Sequence, residues 1–225
     1  MKFLLQNITI ALLLSLFITS CSDEPAEGSV QYYQDIVTFK ENANGYVIMT
    51  YRNIDDSPLV TLRAEGTLNT KEVARGSRLV CTYTLPQGAV YGSDATINVQ
   101  SLSLAMTAPL EEADLADIPY TDNGIYVITL YRSGEYINLS CRQEVNKTRR
   151  FHITLDTATS GLPVPTVYLT TSTEEPVTAA DGQYMASFDL TALWSRTGVE
   201  GVKIVVNNTN NKYLKEFTFT KPENL

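Results

Sequence analysis

From about residue 35 onward, apolar and polar positions alternate with a period of two, in short runs broken by turn residues. No stretch after residue 26 sustains a helical period, so the pattern predicts an all-β protein. In the first half the predicted strands are Asp35 to Lys40, Gly45 to Arg52, Leu59 to Ala64, Arg78 to Leu85 and Thr96 to Ala105. Turn chemistry separates them: Glu41 to Gly45, Asp55 to Pro58, Gly76-Ser77 and Gly92 to Asp94. Within Arg78 to Leu85, the residues Leu79, Cys81, Tyr83 and Leu85 share one face, which sets Cys81 inward. Five such strands in so short a span suit a small barrel, assigned to residues 31–107.

The alternation stops at Ala108 to Pro119, where Glu111, Glu112, Asp114 and Asp117 lie among alanines and leucines between two prolines. This predicts an acidic linker or short helix over 108–122 and the domain boundary. Strands resume at Gly124 to Tyr131, Tyr136 to Val145, Arg150 to Thr157, Thr166 to Ser172, Tyr184 to Leu190, Val202 to Asn207 and Leu214 to Thr220. Seven short strands at this spacing predict a seven-stranded immunoglobulin-like β-sandwich over 123–225. Leu190 to Trp194 reads as a helical turn capped by Asp189, with the single tryptophan plugging the core.

The N-terminus has a different pattern. Met1 and Lys2 precede the apolar run Ile8 to Ile18, which is well short of the roughly 20 residues that span a bilayer as a helix. Small Thr19 and Ser20 stand before Cys21, and Ile18-Thr19-Ser20-Cys21 resembles the lipobox of bacterial lipoproteins. That resemblance implies a signal peptide over 1–20 and a mature chain that begins at Cys21, whose thiol carries a lipid. Each buried methylene of such a lipid contributes about 0.8 kcal/mol, so several acyl chains anchor stably where one does not. The plainer alternative is an ordinary secretory signal with an incidental cysteine. Ser22 is not the aspartate associated with inner-membrane retention, so outer-membrane delivery is expected. Ser22-Asp23-Glu24 resembles the acidic surface-export signal of Bacteroidota lipoproteins, or is a solvated tether; residues 21–30 are assigned as a flexible acidic tether.

Charge narrows the partners. The chain has 17 Lys and Arg against 25 Asp and Glu, a formal net charge of −8. Affinity for nucleic acid comes from neutralising phosphates with Lys and Arg, so nucleic acid is set aside. With Cys21 acylated, Cys81 and Cys141 remain, placed in different domains and read as buried thiols rather than a bridge.

Four features in order resemble one family: the lipobox with its acidic tail, the opening Tyr46-Val47-Ile48-Met49-Thr50-Tyr51, the turn and strand Ser133-Gly134-Glu135-Tyr136-Ile137-Asn138-Leu139, and Ser187-Phe188-Asp189-Leu190 before a helical turn. Together they resemble the NigD-like lipoproteins of Bacteroidota. The resemblance implies an N-terminal OB-like barrel, a C-terminal β-sandwich and a place in the cell envelope. It carries over no catalytic residue, and Cys81 and Cys141 depart from its pattern.

Chemistry is sparse. The single histidine, His152, alternates with Phe151, Ile153 and Leu155 and is expected on the solvent face with Arg150 and Thr154. It has no cysteine or histidine at ligand spacing, and zinc needs three or four such groups. The acidic residues of the linker lack the spacing and central glycine of a calcium loop. No G-x-S-x-G elbow, phosphate loop or dinucleotide fingerprint occurs. Neither a metal nor a cofactor is expected, and no enzyme activity. An OB-like barrel is often a binding fold, and Tyr32, Tyr33 and Tyr91 are the candidate aromatics for stacking on a ligand. Asp156-Thr157-Ala158 matches a three-residue O-glycosylation signal of exported Bacteroidota proteins, making Thr157 a candidate acceptor. The sequence therefore predicts a lipid-anchored, outer-membrane binding or interaction module with a protein or glycan partner. A bacteriocin-immunity or accessory role and a fimbrillin-like structural subunit stand as alternatives.

Overall fold

The computed structural model describes residues 30–69, 71–119, 124–143, 148–174, 182–210 and 215–223. The predicted signal peptide, Cys21 and most of the tether lie outside them. The barrel consists of β1 (Tyr33–Ala43), β2 (Tyr46–Tyr51), β3 (Val60–Glu65), β4 (Arg78–Thr84) and β5 (Ala95–Leu104). Along β4 burial alternates residue by residue, with Leu79, Cys81 and Tyr83 inside, as the period-two pattern requires. Asn44-Gly45 joins β1 to β2 with φ of 54° and 81°, the left-handed pair that a two-residue hairpin turn demands. The order β1-β2-β3-β5-β4 closes through the β1–β4 pairing, which runs from Tyr33 opposite Tyr83 to Thr38 opposite Arg78. Only β3 and β5 run parallel. This is the OB-like barrel that the sequence predicts, and closure leaves it without a free sheet edge.

The second half is a sandwich of β6 (Leu110–Ala113), β7 (Tyr126–Ser133), β8 (Tyr136–Gln143), β9 (Thr148–Asp156), β10 (Thr166–Glu174), β11 (Gly182–Asp189), β12 (Gly201–Val206) and β13 (Glu216–Thr220). One sheet has the order β13-β12-β10-β9-β6 and the other β11-β8-β7. Between β11 and β12 lies the helical turn α1 (Thr191–Trp194), whose Thr191 N–H donates to Asp189 Oδ1 at 2.8 Å. Trp194 is fully buried and its indole N–H donates to the Glu135 carbonyl, so the ring plugs the core and pins the β7–β8 turn. Phe151 and Phe188 meet edge-on across the two sheets at 5.9 Å.

Two expectations change. The acidic segment 108–122 is not merely a linker: Leu110–Ala113 form the edge strand β6, parallel to β9, and Leu115–Asp117 make a single 3₁₀ turn. Leu110 packs on the sandwich core while Glu111 and Glu112 stay exposed, so the sandwich has eight strands among the described residues. His152 is half-buried rather than on an open face, with Nε2 2.8 Å from Ser172 Oγ, and its neighbour Thr154 is buried.

From Tyr32 onward the chain forms one unit. The barrel sits on the outer face of β11-β8-β7, whose inner face carries Ile137, Leu139 and Phe188 into the core. Outward-pointing Asn138, Ser140 and Ser187 are buried polar residues beneath the barrel. Barrel-derived backbone pairs with both outer strands of this small sheet. Asp55 N–H donates to the Arg132 carbonyl at 2.7 Å and Gly134 N–H to Asp55 at 2.9 Å. On β11, Met106 N–H donates to Met185 and Ser187 N–H to Met106. Capping the edges in this way satisfies backbone groups that would otherwise be open to strand addition. Among the described residues no helix is long and apolar enough to cross a membrane.

Candidate functional site: a cleft over a buried aspartate

A cleft of about 800 Å³ opens between the barrel and the outer face of β7, β8 and β11. The barrel contributes Gln34, Asp35, Asn53, Ile54 and Tyr91, and the facing wall includes Leu130, Tyr131, Gln183 and Met185. Its most unusual member is Asp35. The alternation of β1 places Tyr33, Asp35, Val37 and Phe39 on one face, so an acid occupies a position where the barrel core would take an apolar residue.

Asp35 is 8% exposed and is held by two tyrosine hydroxyls. Tyr83 donates to Oδ2 at 2.8 Å and Tyr91 donates to Oδ1 at 2.9 Å. The Tyr91 hydroxyl also lies 3.3 Å from the Asn53 side-chain carbonyl. Burial raises the Asp35 pKa above the ordinary carboxylate range, against the pull of the two hydroxyls, which favour the charged form. Tyr83 and Tyr91 are pushed well up, first by burial and then by the Asp35 charge, so both remain protonated donors. Tyr131 across the cleft is raised by burial and then by the same charge.

The rings around Asp35 form a packed aromatic group. Tyr33 stacks on Tyr91 with centroids 4.9 Å apart and planes 9° from parallel, and on Tyr83 at 5.7 Å. Tyr51 tilts against Tyr91 at 6.5 Å, which brings a fourth phenol into the group. The arrangement fixes Tyr91, which belongs to the β4–β5 loop, against the barrel wall while leaving it 37% exposed to the cleft.

The candidate residues from sequence separate accordingly. Tyr33 and Tyr91 come together at the cleft, although Tyr33 opens β1 rather than occupying a loop and spends its ring on Tyr83 and Tyr91. Tyr32 is 59% exposed and does not line the cleft. Thr157 lies in the 3₁₀ turn Thr157–Thr159, and its hydroxyl donates to Asp114. Sequence reasoning missed Asp35 and Tyr83. The signal for Asp35 was an acid in register with Val37 and Phe39; for Tyr83, a phenol on the inward face of β4, whose hydroxyl needs a partner.

Cys81 and Cys141 are both buried and are not bonded to each other. Burial pushes the Cys81 thiol up to about 12, with the Asp35 charge adding to the shift. Among the described residues there is no cluster of three or more metal-ligating side chains.

No family profile and no curated protein matches the chain. Solved structures do. A NigD-like immunity protein from Bacteroides caccae ATCC 43185 is 18% identical, with 84% of this chain and 91% of that chain covered and a TM-score of 0.54. A DUF1344 protein of unknown function from Bacteroides vulgatus ATCC 8482 is 11% identical, covering 87% and 92%, at a TM-score of 0.57. A candidate lipoprotein from Bacteroides fragilis NCTC 9343 is 12% identical, covering 84% and 96%, at 0.54. At these identities the likeness is one of fold, and it spans both the barrel and the sandwich.

Proposed function

We propose that this protein is a lipid-anchored cell-envelope module that binds its partner, without chemistry, in the cleft between barrel and sandwich. The cleft carries this reading: an opening of about 800 Å³ is lined by tyrosine, amide and aliphatic side chains, with one buried aspartate among them. Concave, mainly apolar sites with a few placed polar groups are the usual form of a ligand seat. The anchor rests on Ile18-Thr19-Ser20-Cys21, and the fold shared with a candidate bacterial lipoprotein supports the same address. The outer-membrane, surface-facing part of the reading draws on Ser22, which is not the retention aspartate, and on the resemblance of Ser22-Asp23-Glu24 to an acidic surface-export signal.

A photo-crosslinking residue at Ile54, which is 54% exposed on the cleft rim, tests the reading in living cells. Leu162, equally open at 52% and not part of the cleft lining, serves as the control. Adducts formed from Ile54 and not from Leu162 support the cleft; equal or no labelling from the two positions overturns it. A toxin-neutralising role is the second reading. It draws on the immunity protein among the structural relatives and on the net charge of −8, which would steer a basic partner inward.

A further inference from the structure

The chemical class of the partner follows from a missing countercharge. Asp35 is buried, yet no lysine, arginine or histidine among the described residues pairs with it, and none lines the cleft. Its partners are two neutral hydroxyls, one on each carboxylate oxygen. A buried carboxylate without a cation is costly, and a cation arriving from outside recovers that cost. Elsewhere in the molecule the carboxylates that meet the barrel–sandwich junction are matched: Asp56 and Asp55 face Arg132.

The surroundings suit a cation in particular. Tyrosine ring faces carry negative potential, and Tyr91 and Tyr131 both line the cleft with Asp35. The Asn53 side-chain oxygen, 3.3 Å from the Tyr91 hydroxyl, adds a neutral acceptor. Around this polar floor the walls are aliphatic: Ile54, Ile128, Leu130 and Met185. An anion meets the Asp35 charge, and a fully apolar ligand leaves that carboxylate buried and unpaired.

We propose that the cleft binds a basic peptide segment, with a lysine-type ammonium placed against Asp35 and flanking apolar side chains on Ile54, Ile128, Leu130 and Met185. This rests on the cleft being the binding seat. It adds that the recognised feature is a positive charge in an apolar context.

The test is calorimetric titration of the full chain in detergent with three probes: acetyl-Leu-Lys-Leu-amide, its norleucine counterpart and maltoheptaose. Desolvated charge pairs at interfaces couple strongly, so the lysine peptide should bind about tenfold or more tighter than the norleucine peptide. Asp35→Asn should erase that difference, while Asp35→Glu should retain part of it. Equal binding of the two peptides, preferential binding of maltoheptaose, a lysine preference that survives in Asp35→Asn, or no binding of the lysine peptide at millimolar concentration each overturns the proposal. These results leave the crosslinking contrast between Ile54 and Leu162 intact, so failure of the cation reading is distinguishable from failure of the cleft reading.

Discussion

The Arg132 guanidinium, buried at 1% exposure in the β7–β8 hairpin, grips Asp56 of the barrel through two bonds, Nη1 to Oδ1 at 3.0 Å and Nη2 to Oδ2 at 2.5 Å. Asp55, held at a φ of 48°, adds a second carboxylate 3.4 Å from Nε. The forked geometry matches planar guanidinium to planar carboxylate. It stands beside the backbone pairing of Asp55 with Ser133, so one contact fixes both the distance and the angle of the barrel against the small sheet.

Removing one member of this pair leaves a buried charge behind. Asp56→Asn is expected to cost about 3 kcal/mol, toward the low end for a broken buried pair because Asp55 still faces the guanidinium. Urea unfolding of the wild type and the variant measures it. A change within about 0.5 kcal/mol, the range of an ordinary surface substitution, would contradict the clamp. The Arg132 side chain holds the Asp56 carboxyl below its ordinary pKa, chiefly by hydrogen bonding. The native state therefore gains from this group at neutral pH and loses that gain as pH falls through its depressed value.

How much of this was legible depended on how local the cause was. The alternation of β4 is written in seven consecutive residues, and the barrel followed from five such runs. Strand β6, Leu-Glu-Glu-Ala, has no alternation; it extends because β9 offers an open edge and Leu110 a seat on the core, and neither is visible in the segment itself. Arg132 and Asp56 lie 76 residues apart and meet only because the barrel docks, so no spacing announces them. Tyr91 reaches Asp35 by the same route, through a loop whose path depends on closure of the barrel. Asp35 is the exception, since an acid in phase with Val37 and Phe39 is a readable conflict between pattern and burial.

Arg78 is the second junction residue and works by direction rather than by pairing. Its Nε donates to Ser187 Oγ at 2.9 Å, Nη1 to Thr38 Oγ1 at 2.6 Å and Nη2 to Asn138 Oδ1 at 3.3 Å, with the guanidinium 4.1 Å from the Tyr136 ring centroid. A lysine keeps the charge and loses the fork. Arg78→Lys should cost about 2 kcal/mol, the scale of hydrogen bonds to a charged group. Chemical denaturation at constant pH provides the check, and a lysine variant as stable as wild type would show that charge alone suffices.

Cys81 lies at the inward register of β4, opposite Asp35, and is fully buried. With its thiol pushed up to about 12, it contributes almost no thiolate at pH 8. In the native protein Cys81 should resist a disulfide reagent such as DTNB for as long as the fold persists, and should react promptly in denaturant. Mass-spectrometric mapping of modified peptides reads the site directly. Rapid native modification of Cys81 would mean that the barrel opens far more readily than its closed sheet implies.

The same buried carboxylate that suits the cleft to a cation should weaken the empty fold. Because the folded-state pKa of Asp35 is raised by burial, the native state holds its proton more tightly than the unfolded chain does. Stability therefore falls as pH rises from the ordinary carboxylate value through the raised one, the opposite of the Asp56 effect. Asp35→Asn removes the titration and keeps the size of the side chain, so it should melt higher than wild type at pH 8. The advantage should shrink steadily toward pH 3, where Asp35 is protonated in both states. Differential scanning calorimetry across that range decides it: a pH-independent difference would place the effect in packing, and a destabilised variant at pH 8 would show that the Tyr83 and Tyr91 bonds outweigh desolvation. The expected trade, a fold made less stable by a group poised for a partner, is common at binding sites.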